Sequence, residues 1–347
     1  MKRIAFFDTK PYDKTWFDQW NPGDYEIVYF ESRLSSHTAA LAADCQGVCA
    51  FVNDMIDREV IETLSHLGVE VLAMRCAGYS NIDFHAAYDQ KLCVVRVPAY
   101  SPNAVAEHAM ALLLAVNRKL CRAYNRTRDF NFSLTGLTGT DLNGKTAGVI
   151  GTGKIGRVFI NICRGFGMHV LAYDPYPAKD ADFEYAPLDR IFRESDIISL
   201  HCPLTEESHH ILNAEAFDKM KKGVFIINTS RGALIDSAAL LSALNNEKVR
   251  GAGLDVYEEE ADIFFEDKSG QIIRDEILSL LVSRPNVIIT SHQAFLTEEA
   301  LSNIARVTFT NLNEFFSGGP LDNEICYHCD TGKVAGGCRT TRAERCF

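Results

Sequence analysis

Six times between Ala147 and Ser291, a short apolar run stops at a residue able to do chemistry. Residues 147–150 lead into Gly151-Thr152-Gly153-Lys154-Ile155-Gly156, and residues 169–173 lead into Asp174. Residues 197–201 reach Cys202-Pro203, and residues 224–228 reach Thr229-Ser230-Arg231. Residues 252–254 end at Asp255, with Glu260 five positions on, and residues 287–290 end at Ser291-His292. Short apolar runs separated by helical stretches predict buried strands of one parallel sheet. Such sheets take their ligands in the crevice beyond the carboxyl ends of the strands. A glycine loop, an acid, an arginine, a glutamate and a histidine would then share one sheet edge.

The first hundred residues carry a second alternation, with strand-like runs at 4–7, 26–30, 47–52, 71–75 and 94–97. Between them, Ile56, Val60, Ile61, Leu64 and Leu67 recur at helical spacing, which predicts a helix over 56–67. Pro98 and Pro102 break the chain, and a long helix follows from Ala104 to Arg118, with Asn103 as its cap and Glu107 in its first turn. Residues 298–316 form a last helix, with Leu301, Ile304, Val307, Leu312 and Phe315 on its apolar face. It lies beyond the sixth strand and is free to return to the first unit.

A chain of 347 residues is too long for one ordinary core. The expected class is α/β, with two doubly wound parallel-sheet, Rossmann-like domains and the active site in the cleft between them. Residues 1–101 plus 297–330 would form a discontinuous, flavodoxin-like substrate domain. Residues 102–296 would form the dinucleotide-binding domain, and 331–347 a flexible tail.

A lone GxGxxG is weak evidence, but this one follows a strand and opens the apolar helix 155–166. Gly151 allows a tight turn, Gly153 lets a pyrophosphate approach the backbone, and Gly156 lets helix and strand pack closely. The free N–H groups of the helix start suit phosphate. Asp174, eighteen residues after Gly156, is placed to accept from both hydroxyls of an adenosine ribose and to repel a 2′-phosphate, favouring NAD over NADP. Its bland alternative is a turn with Pro175.

Arg231 after a strand could hold a carboxylate through two parallel hydrogen bonds, or could close a strand-end salt bridge. Reduction of a ketone leaves an alkoxide that needs a proton, and histidine suits that task near neutral pH, which singles out His292. A carboxylate beside it would orient the ring and favour its charged form. Spacing alone does not choose among Glu258, Glu259 and Glu260.

A formal charge of −11 argues against nucleic-acid binding but leaves room for a small anionic substrate beside one arginine. Residues 109–116 are too few to span a bilayer and are followed by Asn117-Arg118-Lys119. The opening apolar run is too short for a secretory segment. Eleven scattered cysteines then suggest reduced thiols and a cytoplasmic location.

The runs Arg75-Cys76-Ala77-Gly78, Val97-Pro98-Ala99-Tyr100-Ser101, the glycine loop, His201-Cys202-Pro203-Leu204-Thr205, Asn228-Thr229-Ser230-Arg231-Gly232 and Ser291-His292-Gln293-Ala294-Phe295 together resemble the D-2-hydroxyacid dehydrogenases. The resemblance covers residues 2–323, and the stretch Asp262–Ser269 inclines it to the lactate branch. It implies NADH-dependent, reversible reduction of pyruvate to D-lactate. It also implies an Arg–Glu–His triad on Arg231, Glu260 and His292, which selects Glu260 from the acidic run. Ala77, Gly78 and Tyr100 would meet the substrate with Arg231. The cofactor would lie on Gly151, Thr152, Gly153, Lys154, Ile155, Gly156 and Asp174, with Cys202, Pro203, Thr229, Ser230, Asp255 and His292 also beside it. A homodimer or homotetramer is the family's habit, with residues 104–116 and 127–140 as the expected contact.

Phe51 and Phe295 are the aromatic candidates to close on the substrate side chain, unless they pack in the core. A wider pocket would suit phenyllactate or hydroxyisocaproate chemistry, and the same fold also serves non-enzymatic NAD sensing. The chain departs from the family at Cys326, His328, Cys329, Cys338 and Cys346, whose spacing matches no standard zinc site, so no metal is expected.

Overall fold

The computed structural model describes residues 1–260 and 263–325. The cysteine-containing tail, with its zinc and flexibility questions, lies outside the described residues, as does Asp262. The chain divides into two compact units, one running from Met1 to Ser101 and resuming at Thr297, the other spanning Pro102–Leu296.

Unit 1 carries five parallel strands, β1 (Lys2–Phe6), β2 (Tyr25–Tyr29), β3 (Gly47–Ala50), β4 (Val71–Met74) and β5 (Cys93–Arg96), in the order β2-β1-β3-β4-β5. All of β3 and β4 is buried, as strands covered on both faces must be. The predicted helix 56–67 is Arg58–His66, because the Asp57 side chain accepts from the Val60 N–H at 3.0 Å and fixes the start there. Its face of Val60, Ile61 and Leu64 is buried.

The helix Glu298–Ser317 packs within this unit, with Phe309 against Phe17 of the helix Pro11–Trp20 at 5.6 Å between ring centroids. Thr297 caps its first turn through the Ala300 N–H, an interaction worth about 1 kcal/mol. Its stripe runs through Leu301, Ile304, Ala305, Phe309, Leu312 and Phe315, while Val307 is only half-buried.

Unit 2 carries seven parallel strands in the order β12-β11-β10-β9-β6-β7-β8. They are β6 (Thr146–Ile150), β7 (His169–Tyr173), β8 (Glu184–Tyr185), β9 (Ile197–Leu200), β10 (Val224–Asn228), β11 (Val249–Leu254) and β12 (Val287–Ile289). The order reverses between β6 and β9, which is the switch point where such sheets bind ligands. The two-residue edge strand β8 has no counterpart among the six expected runs.

The long helix is Pro102–Arg118, starting two residues earlier than expected. Pro102 opens it, since proline at the first helical position forfeits no hydrogen bond, and Asn103 is an exposed helical residue rather than the cap. Its Ala106, Ala109, Met110, Leu113 and Val116 are buried in the core shared with Val149, Phe159 and Ile160. The apolar character of this helix is therefore spent inside unit 2. A following helix, Leu120–Arg128, has no buried residue and gave no periodic signal. No helix among the described residues is long and apolar enough to cross a membrane.

Candidate active site

The glycine loop lies at the switch point. Gly151 adopts φ +96°, and a Cβ there would stand 2.5 Å from the His201 carbonyl, so only glycine fits between β6 and the residues after β9. A Cβ on Gly156 would strike the Gly151 carbonyl oxygen, which explains the close packing of the helix Lys154–Gly165 on β6. Gly153 has open space instead and caps that helix without any side-chain bond. The N–H groups of a helix's first turn have no intrahelical partner, and the open space at Gly153 leaves the backbone there accessible to a pyrophosphate. Thr229, 7% exposed at the end of β10, has a buried hydroxyl with no partner among the described residues, a second feature that fits a bound dinucleotide.

Asp174 follows β7 as expected. Its Oδ2 accepts from the Thr152 N–H at 2.8 Å and the Thr152 hydroxyl at 3.0 Å, and its Oδ1 accepts from the Tyr176 N–H at 2.9 Å. The turn reading and the ligand reading thus coexist, because a carboxylate offers about four acceptor sites. Cys202 is half-buried, and burial, with Asp174 nearby, pushes its thiol up to about 11, so it is no nucleophile. Pro203 is exposed, and Ser230 spends its hydroxyl on the Leu200 carbonyl at 2.8 Å.

The triad candidates come from three neighbouring strands. β10 pairs with β11 and β11 with β12, with Asn228 opposite Leu254 and Leu254 opposite Ile289. Arg231 and His292 each sit three residues past that common level. Asn228 Nδ2 donates to the Arg231 carbonyl at 2.8 Å and fixes the turn. The half-buried Arg231 guanidinium donates to the Ser230 carbonyl at 2.7 Å and, among the described residues, meets no carboxylate. The strand-end salt bridge is absent there.

His292 Nδ1 lies 2.8 Å from Glu260 Oε1, with both side chains about one-fifth exposed. Glu260 Oε2 accepts from the Tyr257 N–H at 2.9 Å, which holds the carboxylate in place. Pairing at Nδ1 leaves Nε2 as the nitrogen free to exchange a proton. The acidic run resolves into three fates. Glu258 pairs with His210 at 2.5 Å and accepts from the Ser237 N–H, Glu259 is exposed, and Glu260 holds His292.

Asp255 is fully buried, and its carboxylate organises the loop that bears His292. Oδ1 accepts from the Thr290 hydroxyl at 2.5 Å and the Gln293 N–H at 2.9 Å, and Oδ2 accepts from the Ala294 N–H at 2.8 Å. His108 Nε2 stands 3.3 Å away. Burial would raise the Asp255 carboxyl, yet these donors outweigh it and hold it below its ordinary value. The Asp255 carbonyl receives the His292 N–H at 2.7 Å, and His292 is held at φ +54°, a left-handed conformation that a non-glycine residue adopts at some cost. His108 and Thr290 escaped the sequence reading, since a lone histidine inside a helix carries no pattern. Phe265, whose ring centroid lies 5.8 Å from that of His292, was also missed.

His201 makes a contrast. Its Nε2 meets the Ser199 hydroxyl at 2.8 Å, its ring lies on Phe159, and desolvation pulls it down to about 3. It stays neutral and delivers no proton. His209, His210 and Glu258 bring three metal-type donors within 4.8 Å, a cluster the sequence reading also missed. Its glutamate is already bonded to His210 and to Ser237.

The remaining candidates divide between the units. Phe295 in unit 2 and Phe51 in unit 1 are each 8% exposed, so both have core character. Asp54 accepts from the Phe51 N–H at 2.6 Å, and the Arg75 guanidinium lies over the Phe51 ring at 4.6 Å. In unit 1, the Ala77 and Gly78 carbonyls accept from Arg96 and Cys76, while among the described residues neither N–H has an acceptor. Tyr100 is half-buried, and its carbonyl accepts from Asn303 Nδ2 at 2.8 Å.

Known proteins resemble the chain over most of its length. The family model for the D-isomer specific 2-hydroxyacid dehydrogenase NAD binding domain matches residues 110–294. D-lactate dehydrogenase of Escherichia coli K12 is 52% identical over 327 residues, covering 93% of this chain and 99% of that protein. The apo-structure of the Escherichia coli D-lactate dehydrogenase matches with a TM-score of 0.86 at 50% identity, covering 93% and 99% of the two chains. The pyruvate reductase of Chlamydomonas reinhardtii matches with a TM-score of 0.89 at 41% identity, covering 93% and 98%.

Proposed function

The chain belongs to the D-isomer specific 2-hydroxyacid dehydrogenases, and on that premise we propose that it reduces pyruvate to D-lactate, reversibly, with NADH. The observation that carries the chemistry is the His292–Glu260 hydrogen bond of 2.8 Å, on the strand-end edge that also presents the Arg231 guanidinium, which meets no carboxylate among the described residues. When bound, the nicotinamide supplies the hydride that reduces the C2 carbonyl.

This chain's own residues do the rest. Arg231 holds the substrate carboxylate through its planar fork, and we assign the free N–H groups of Ala77 and Gly78 and the side chain of Tyr100 to the same substrate. His292 gives the proton from Nε2 to the forming alkoxide, and Glu260 stabilises the imidazolium and orients the ring. Asp255 enters through the loop it holds. Gly151–Gly156, Asp174, Cys202, Pro203, Thr229 and Ser230 form the cofactor side. We assign unit 2 to NAD and unit 1 to substrate, with Phe51 and Phe295 limiting the group at C3.

The deciding experiment is NADH oxidation with pyruvate, phenylpyruvate and 2-ketoisocaproate in parallel, followed by chiral analysis of product. Pyruvate should be preferred and D-lactate formed, and Phe51→Ala should shift preference toward the bulkier acids. Preference of the unaltered protein for a bulky acid would leave the triad and replace the substrate. Tight NADH binding without any turnover would instead make the protein an NAD sensor.

We also propose a homodimer or homotetramer in the cytoplasm. Phe130, Phe132 and Leu134 are 84%, 69% and 81% exposed, close in sequence to Leu120 and Tyr124, which are also exposed. Apolar groups grouped in this way favour cover by a second copy. The proposed contact is therefore segment 120–134, which overlaps the expected 127–140, and not residues 104–116, whose apolar side is already used. Phe132→Ser with Leu134→Ser should lower the mass seen by light scattering toward that of one chain. An unchanged mass would remove this contact. Among the described residues, Cys45, Cys49, Cys121, Cys163 and Cys202 are thiols outside any disulfide, which suits a reducing compartment.

A further inference from the structure

A two-residue strand adds little to a sheet, yet β8 does one definite thing: its pairing of Ala172 with Tyr185 brings the tyrosine beside the glycine loop. The half-buried Tyr185 hydroxyl lies 2.9 Å from Thr152 Oγ1, and it accepts from the Ala178 N–H at 3.1 Å. Thr152, only 5% exposed, in turn contacts Asp174 Oδ2 through both its N–H and its hydroxyl.

The direction of every proton in this chain follows from the endpoint. A carboxylate only accepts, so the Thr152 hydroxyl must donate to Asp174 and leave its oxygen as an acceptor. The Tyr185 hydroxyl must then donate to Thr152, and its own oxygen is left for the Ala178 N–H. The result is one polarised line, Ala178 to Tyr185 to Thr152 to Asp174, in which each bond strengthens the next. It fixes Oδ2, while the Tyr176 N–H fixes Oδ1. The carboxylate at the end of β7 is thus braced on both oxygens before any ligand arrives.

We propose that Tyr185 is a positioning residue for cofactor choice, holding Asp174 through Thr152 so that the carboxylate meets a ribose 2′-hydroxyl and rejects a 2′-phosphate. This rests on the reading of Asp174 as the ribose contact. A brace that served only the fold would weaken binding of NADH and NADPH alike, whereas a brace for selection changes their ratio.

The test is equilibrium binding of NADH and NADPH by fluorescence, without substrate, for the unaltered protein, Asp174→Ala and Tyr185→Phe, with melting temperatures alongside. Tyr185→Phe removes one hydroxyl and should weaken NADH binding by about 3–10-fold, the range for one lost hydrogen bond, with NADPH binding weakened by less. Asp174→Ala should change the ratio further. A Tyr185→Phe protein with an unchanged ratio, beside an Asp174→Ala protein with a changed one, would overturn the proposal alone. If Asp174→Ala also left the ratio unchanged, the ribose reading would fail and the proposal with it. Should Tyr185→Phe not fold, Thr152→Val breaks the same line at its middle oxygen, and an unchanged ratio there would be equally decisive against it.

Discussion

His292→Ala is expected to lower pyruvate turnover by about 10²–10⁴-fold, the usual contribution of a positioned general acid. The loss should fall on kcat more than on the pyruvate KM, because the substrate carboxylate is assigned to Arg231 and the proton is needed only as the alkoxide forms. The geometry makes the residue hard to replace. Glu260 binds Nδ1, so the proton leaves from Nε2 in a fixed direction, and the left-handed backbone at His292 is held by the bond from its N–H to the Asp255 carbonyl. Water can reach a site only one-fifth exposed, but it arrives without that orientation. Stopped-flow reduction of pyruvate by His292→Ala, beside Glu260→Gln, checks this. A drop of less than tenfold in the alanine variant would take His292 out of the mechanism. An intermediate loss in Glu260→Gln is expected, since glutamine keeps a hydrogen bond and removes the charge.

The strand-end chemistry was legible in the sequence because parallel strands covered on both faces must be apolar throughout, so the first polar residue after each run marks the sheet edge. Asp174 and Asp255 stand at such points, and Arg231 and His292 follow three residues beyond the last paired level of their strands. What escaped has equally physical reasons. β8 is two residues long and has no period to detect. The helix Leu120–Arg128 buries nothing, so no stripe distinguishes it. His108 lies within a helix, and its closeness to Asp255 is set by how that helix packs on β11, a tertiary fact. The three consecutive glutamates show the limit most sharply. Spacing could not separate them, and their different fates depend on how the chain turns after Val256: one side chain meets His210, one meets solvent, and one meets His292.

The second large effect concerns Arg231. Arg231→Lys keeps the charge but replaces a planar fork with a point charge on a flexible stem. Loss of one charge-assisted hydrogen bond costs about 1.5–3 kcal/mol, which is roughly 10–100-fold. A carboxylate held at one point can also pivot, and misplacement of a reacting carbonyl by about 1 Å can cost a further 10²-fold. The kcat/KM for pyruvate should therefore fall by about 10³–10⁴-fold when both losses act, with a raised KM as the larger part if ground-state binding dominates. Fold loss is a poor alternative explanation. Among the described residues the Arg231 side chain donates only to the adjacent Ser230 carbonyl, and the turn itself is held by backbone groups and Asn228, which the substitution leaves in place. NADH binding measured on the same variant separates the cases, because a collapsed loop beyond β10 would also disturb Thr229 and Ser230. A pyruvate KM within threefold of the original protein, with kcat intact, would refute the carboxylate clamp and return Arg231 to a structural role.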